Sequence, residues 1–211
     1  MKTNYSAVSF FKRRRLNIDI SHRCPLECPN CQRQRHYGIK GKKVPGYDIS
    51  MEEFYKLTKF FKSINFCGQL SDPVHHPKFI QFLEYCYKNK IEAIIHNASS
   101  LKPHHWYMKA FKANPEAKWV FGIDGLPEQS HIYRINQDGK KLFNLMIESK
   151  KYLKQLPVWQ YLVFKYNEDN ILKAQEIAKK EGVTFMLLQS SRWNSENDPL
   201  RPSKKYNMSK K

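Results

Sequence analysis

The chain of 211 residues carries 37 Lys and Arg against 19 Asp and Glu, a formal net charge of +18, with 41% hydrophobic and 14% aromatic residues. That length suits one domain of ordinary size, and that apolar content builds a core, which excludes wholesale disorder. There is no apolar run long enough to span a bilayer and no signal-peptide core, so the sequence predicts a protein kept in the cytoplasm of a cell or of an infected host, with no membrane association. The charge attracts polyanions, RNA above all, yet the lysines spread over many helical segments, as on a merely lysine-rich solvated surface.

In chain order, short β-like runs alternate with amphipathic helical runs. Residues 1–15 form a basic N-terminal extension ending in FKRRR. LNIDIS (16–21) is the first strand, followed by a loop rich in Cys, Gly and Lys. Ser50 and Glu53 form a capping-box pattern that starts a helix to about Ser63, with Phe54, Leu57, Phe60 and Phe61 on one face. INFCG (64–68) is the second strand, and residues 77–89 a helix with Phe79, Phe82, Leu83 and Cys86 at helical spacing. IEAIIHN (91–97) is the third strand, with a helix after Pro103, a favoured first-turn residue. KWVFGID (118–124) is the fourth. A helix over roughly 140–156 points Leu142, Leu145, Met146, Leu153 and Leu156 inward, and VWQYLVF (158–164) is the fifth strand. Asn167 caps a helix with Glu168 and Asp169 in its first turn. That helix ends at Gly182, and VTFMLLQ (183–189) is the sixth strand. Residues 191–211 read as a polar, basic tail exposed to solvent.

Strands alternating with helices predict an α/β fold with a parallel sheet. An open doubly wound sheet and a barrel both satisfy that order. Cys24, Asp72, Asn97, Asp124 and Asn167 all stand just after strands. Chemistry spread over so many strand ends favours a partial (β/α)6 TIM-like barrel spanning 16–190.

The stretch SHRCPLECPNCQRQR packs Cys24, Cys28 and Cys31 into one loop after the first strand. Three thiols so close point to a metal before a disulfide. Zinc completed by His22 or His36 fits the spacing, as does an iron–sulfur cluster with one iron left open. A non-catalytic nucleic-acid binder built on such a centre is the corresponding non-enzyme reading.

Cys24-x3-Cys28-x2-Cys31, at that place, resembles the radical S-adenosylmethionine superfamily. LSDPVHHP (70–77) resembles its GGEP segment and HNASS (96–100) its TNG turn. FGIDGLPEQSHIYRINQDG (121–139) resembles the SIDG…H…R…G segment of peptide- and protein-modifying members, and VFKYNEDNI (163–171) their fifth-strand segment. The resemblance implies that Cys24, Cys28 and Cys31 hold a [4Fe-4S] cluster whose fourth iron chelates S-adenosylmethionine. It implies reductive cleavage to a 5′-deoxyadenosyl radical that takes hydrogen from substrate, fed by an electron donor such as flavodoxin or ferredoxin. It gives Ser71, Asp72, Asn97 and Asn167 cofactor-binding parts and Asp124 and His131 catalytic ones. A peptide or protein side chain is the favoured substrate, RNA or a nucleotide-derived molecule the runner-up. Asn30 stands where the family often has an aromatic residue against adenine, the double glycine is absent, and Asp72 is a methylene shorter than the usual Glu. With no cysteine after Cys86, auxiliary clusters are not expected. Cys86 reads as core, and Cys67, at the end of the second strand, as packing close to the site.

Overall fold

The computed structural model describes residues 15–189 and 192–206. Six strands are present: β1 Arg15–Ile18, β2 Ser63–Phe66, β3 Glu92–Asn97, β4 Lys118–Gly122, β5 Val158–Val163 and β6 Thr184–Gln189. They pair in chain order, every pair parallel, and the sheet stays open between β1 and β6. Five helices intervene: α1 Met51–Phe60, α2 Phe79–Lys88, α3 His104–Ala113, α4 Gly139–Ser149 and α5 Ile171–Lys180. Crossovers between successive parallel strands share one hand, so sequential order puts every helix on the same face. A sheet covered on one side only is the predicted partial (β/α)6 barrel rather than the doubly wound alternative.

Alternation along the strands then sorts the residues. Phe66, Ile95, Trp119, Phe121, Trp159 and Tyr161 point outward into one large core under the helices. Ile94, Val120 and Val158, with Met186, form a separate small cluster on the inner face. Towards the strand ends the inward positions include Asn17, Asn65, His96, Gly122 and Gln160, with Leu162 and Leu188, and all of them line a cavity.

Local chemistry sets the element ends. Ser50 Oγ accepts from Glu53 N while Glu53 Oε2 accepts from Ser50 N at 2.7 Å, so the expected capping box starts α1. Gly182, at φ +63, ends α5 in the left-handed turn that glycine adopts without strain.

Four expectations need correction. The helix of 140–156 stops at Ser149, so Leu153 reaches the core from a turn and Leu156 is 59% exposed. Phe60 is likewise exposed, since α1 ends there and the chain leaves in extended form at Phe61. Asn167 caps no α-helix: a short 3-10 turn, Glu168–Asn170, intervenes, and the Asn167 side chain folds back onto β5. The basic extension falls almost wholly outside the described residues, which begin at Arg15, and the ends of the tail, 190–191 and 207–211, lie outside them too. Residues 192–206, read as solvated tail, instead return across the loops. Leu200 packs beside Leu26 and Phe164, Pro202 is buried, Lys165 N donates to Leu200 O at 3.2 Å, and Ser203 N donates to Glu168.

Candidate active site

The C-terminal ends of the strands and the loops after them enclose a cavity of about 580 Å³. Cys24, Cys28 and Cys31 line it, as do Ser71, Asp72 and Asn97. The sequence-predicted cysteines and three of the four predicted cofactor residues thus share one wall system, although they come from three different loops.

The cysteine loop is tied down on several sides. Glu27 N donates to Ile135 O, and Asn136 Nδ2 donates to Pro25 O, which anchors it to the segment after β4. Asp72 N donates to Arg23 O at 2.9 Å, which anchors it to the loop after β2. Asn30 donates to the carbonyl of Arg192 at 3.0 Å and so holds the returning C-terminal segment. A π-helical turn, Arg33–Gly38, follows the third cysteine. Behind the thiols lie Leu26, Tyr133, Phe164 and Leu200, with the Tyr133 and Phe164 rings 4.3 Å apart. These apolar groups keep water from the sulfurs on that side.

Burial pushes the Cys24 thiol up to about 12 and raises Cys28 as well. Thiolates here therefore need positive charge to form, from a bound metal or from the arginines that line the cavity, Arg33, Arg134 and Arg192. Among the described residues no group of three or more His, Cys, Asp or Glu side chains is placed to hold a single metal ion. His36 is exposed on the π-helical turn, and neither it nor His22 joins the three cysteines in the cavity wall.

Asp72 is 3% exposed. Its Oδ2 accepts from Ala98 N and Ser99 N, each at 2.8 Å, and its Oδ1 from Val74 N, so the loops after β2 and β3 share one carboxylate. Desolvation raises its pKa against those hydrogen bonds. Asn97, 1% exposed, uses Oδ1 on Ser99 N, and its side chain also interacts with the Tyr107 hydroxyl. Ser71 Oγ donates to Asp19 Oδ1 at 2.8 Å. Asp19, unassigned from sequence, also accepts from Gln69 N and Leu70 N and organises the whole loop after β2.

Asp124 and Asn167 are fully buried and outside the cavity lining. Asp124 Oδ2 accepts from Arg134 Nε at 2.7 Å, and its Oδ1 from Leu162 N at 3.0 Å. It aims Arg134 into the cavity without facing it. Burial opposes the Arg134 charge, but Asp124 and Cys28 outweigh it and raise the pKa. Asn167 spends its amide on Phe164 N and Leu162 O, at 2.8 and 2.9 Å, and shapes the turn after β5. His131 is exposed on the 3-10 turn Ser130–Ile132 and does not line the cavity. Cys86 is buried under α2, as expected, whereas Cys67 lines the cavity.

Fold and site together define an open, all-parallel β/α half-barrel with a three-cysteine loop after its first strand and one polar cavity at the strand ends. A scan against protein-family models finds no match, and a search of curated proteins finds none. Solved structures of the same fold include three of SuiB from Streptococcus suis. SuiB bound to the precursor peptide SuiA superposes with a TM-score of 0.67 at 13% identity, covering 84% of this chain and 39% of that one. SuiB alone gives 0.69 at 12% identity, covering 89% and 42%. SuiB bound to S-adenosylmethionine gives 0.67 at 12%, again covering 89% and 42%. This chain therefore spans about two-fifths of the length of those neighbours, and at such identity the likeness is one of fold.

Proposed function

We infer that this chain is a radical S-adenosylmethionine enzyme that modifies a peptide or protein side chain. The observation that carries the reading is the convergence of Cys24, Cys28, Cys31, Asp72 and Asn97 on one cavity at the C-terminal strand ends. The fold shared with a protein solved in complex with S-adenosylmethionine and with a precursor peptide supports it.

In this reading Cys24, Cys28 and Cys31 hold a [4Fe-4S] cluster. When bound, the cluster supplies the single electron that cleaves S-adenosylmethionine to the hydrogen-abstracting radical. The chain's own residues bind and orient. Asp72, fixed by three backbone N–H groups, presents its remaining lone pairs to an ammonium group. Asn97 Nδ2 donates to an oxygen of the ligand, and Arg134, held at Nε by Asp124, offers its remaining N–H groups to a carboxylate. Asp124 is thus a positioning residue. Asn167 supports the wall through the β5 turn, and Leu26, Tyr133, Phe164 and Leu200 exclude water. We assign His131 no part inside the cavity. An external carrier of the flavodoxin or ferredoxin kind supplies the electron. RNA as substrate rests on net charge alone.

The test is anaerobic reconstitution with iron and sulfide, then S-adenosylmethionine and dithionite. The reading expects 5′-deoxyadenosine, and none from Cys28→Ala. Tight stoichiometric zinc, no cluster, and RNA binding that survives high salt would instead establish the non-catalytic binder, since purely electrostatic binding fades with salt.

A further inference from the structure

We propose that the inner wall formed by Asn17, Asn65, His96 and Gln160 is a side-chain pocket selective for a neutral carboxamide, the group of an asparagine or glutamine substrate residue. The inference deepens the reading above and rests on it for the identification of this cavity as the substrate chamber.

Alternation puts one of these residues on the inner face of each of β1, β2, β3 and β5, and all four line the same cavity as the cysteines. Below them the barrel is plugged by Ile94, Val120, Val158 and Met186. A barrel interior this small is ordinarily filled by branched apolar side chains. Here Asn65, His96 and Gln160 are half-buried and Asn17 is exposed, so hydrogen-bonding groups take the place of such a filling and face the cavity.

The wall is incompletely satisfied. Asn65 Nδ2 donates to Asn17 Oδ1 at 2.8 Å, and Asn65 Oδ1 is buried with no partner. That oxygen needs a donor. His96 is half-buried and interacts with Gln160, and desolvation together with nearby Lys118 lowers its pKa, so the ring is neutral near pH 7 and carries one donor and one acceptor. None of the four brings a charge, and the charged groups of the cavity, Asp19, Asp72 and the arginines, belong to the loops above. A neutral wall with a spare acceptor and a neutral imidazole matches a ligand that both donates and accepts, which a primary amide does. A carboxylate has nothing to give Asn65 Oδ1, an ammonium nothing to accept with, and a hydrocarbon leaves the wall unpaired.

The pocket is tested on the cluster-free chain by titrating propionamide, butanone, propionate and propylammonium. The readout is the side-chain amide resonances of Asn17, Asn65 and Gln160 and the ring nitrogens of His96. Propionate bound to the arginines above would move other resonances. The account expects propionamide to shift the wall resonances at about tenfold lower concentration than the other three. Asn65→Asp, which turns the spare acceptor into an anion, reverses the order in favour of propylammonium, and Asn65→Leu removes the propionamide shifts. A thermal melt shows that each variant is folded, and the wild-type series is decisive without them. Equal midpoints for the four probes, a preference for butanone or propylammonium, or no shift at the wall overturns the proposal. The measurement needs neither cluster nor S-adenosylmethionine. Loss of amide selectivity with 5′-deoxyadenosine still formed removes this inference alone. Amide binding without 5′-deoxyadenosine removes the radical reading and leaves the amide site.

Discussion

Replacing Asp124 by Asn tests how the site is held in shape. Asp124 is fully buried and its partner guanidinium is 13% exposed, with Nε and Oδ2 2.7 Å apart. Removing one member of a buried pair leaves the other charge uncompensated and costs about 3–5 kcal/mol. For a domain of this size each kcal/mol moves the melting temperature by about 2–4 °C, so the expected loss is about 6–20 °C. Asn keeps an acceptor for Leu162 N but turns its NH2 towards Arg134 Nε, so the change removes both the charge and the hydrogen bond of the pair. The double variant Asp124→Asn, Arg134→Met removes both charges and recovers much of the loss, because a buried pair is replaceable by packed apolar groups at little cost. Thermal denaturation followed by circular dichroism on the single variants and the double variant measures this as a coupling energy. A shift below about 2 °C for Asp124→Asn, or a double variant worse than the sum of the two singles, would refute the argument that this pair is a desolvated, mutually dependent unit.

Other outcomes follow from the same geometry. Gly68 lines the cavity at φ +57, and a Cβ there would press into the Ser71 carbonyl oxygen, so Gly68→Ala should lower S-adenosylmethionine affinity by calorimetry far more than a surface Gly41→Ala, whose site is open. Burial holds the His75 pKa down to about 4, with Lys102 adding to it, while the unfolded chain titrates near 6.5. The neutral folded form is therefore fully favoured above pH 6.5 and that stability is lost as the pH falls from 6.5 towards 4. His75→Gln, which can keep the contact with Ser99 Oγ, should flatten the fall of melting temperature across that window. Ser50→Ala removes one half of the α1 capping box and should cost about 1 kcal/mol, with S-adenosylmethionine affinity unchanged.

Much of the fold is legible in the sequence because its signals are local and periodic. Six apolar runs flanked by polar turns, and Ser50 with Glu53, report elements that backbone hydrogen bonding and burial then enforce. That the three cysteines share one cavity wall is legible because they stand in one short loop after the first strand. What is not legible depends on direction. Asn167 precedes two acidic residues and reads as a cap, yet its amide turns back to Phe164 N and Leu162 O. Asp124 stands at a strand end and faces Arg134, not the cavity. Asp19 was within reach: counting by twos from Asn17 places both on the inner face of one extended segment. Leu200 sits in a polar stretch with no period, so nothing local shows that it packs on the cysteine loop. The polar inner wall follows from the same alternation as the core, but only once the helices are known to lie on one face.

The central claim is that three thiolates, and no fourth protein ligand, hold a cluster with one iron free for S-adenosylmethionine. Electron paramagnetic resonance of the reconstituted, dithionite-reduced protein tests it most directly. A [4Fe-4S] signal that changes when S-adenosylmethionine is added, and that is lost in Cys28→Ala, is the predicted result. A signal indifferent to S-adenosylmethionine, or a protein that takes up zinc and no cluster, would contradict it.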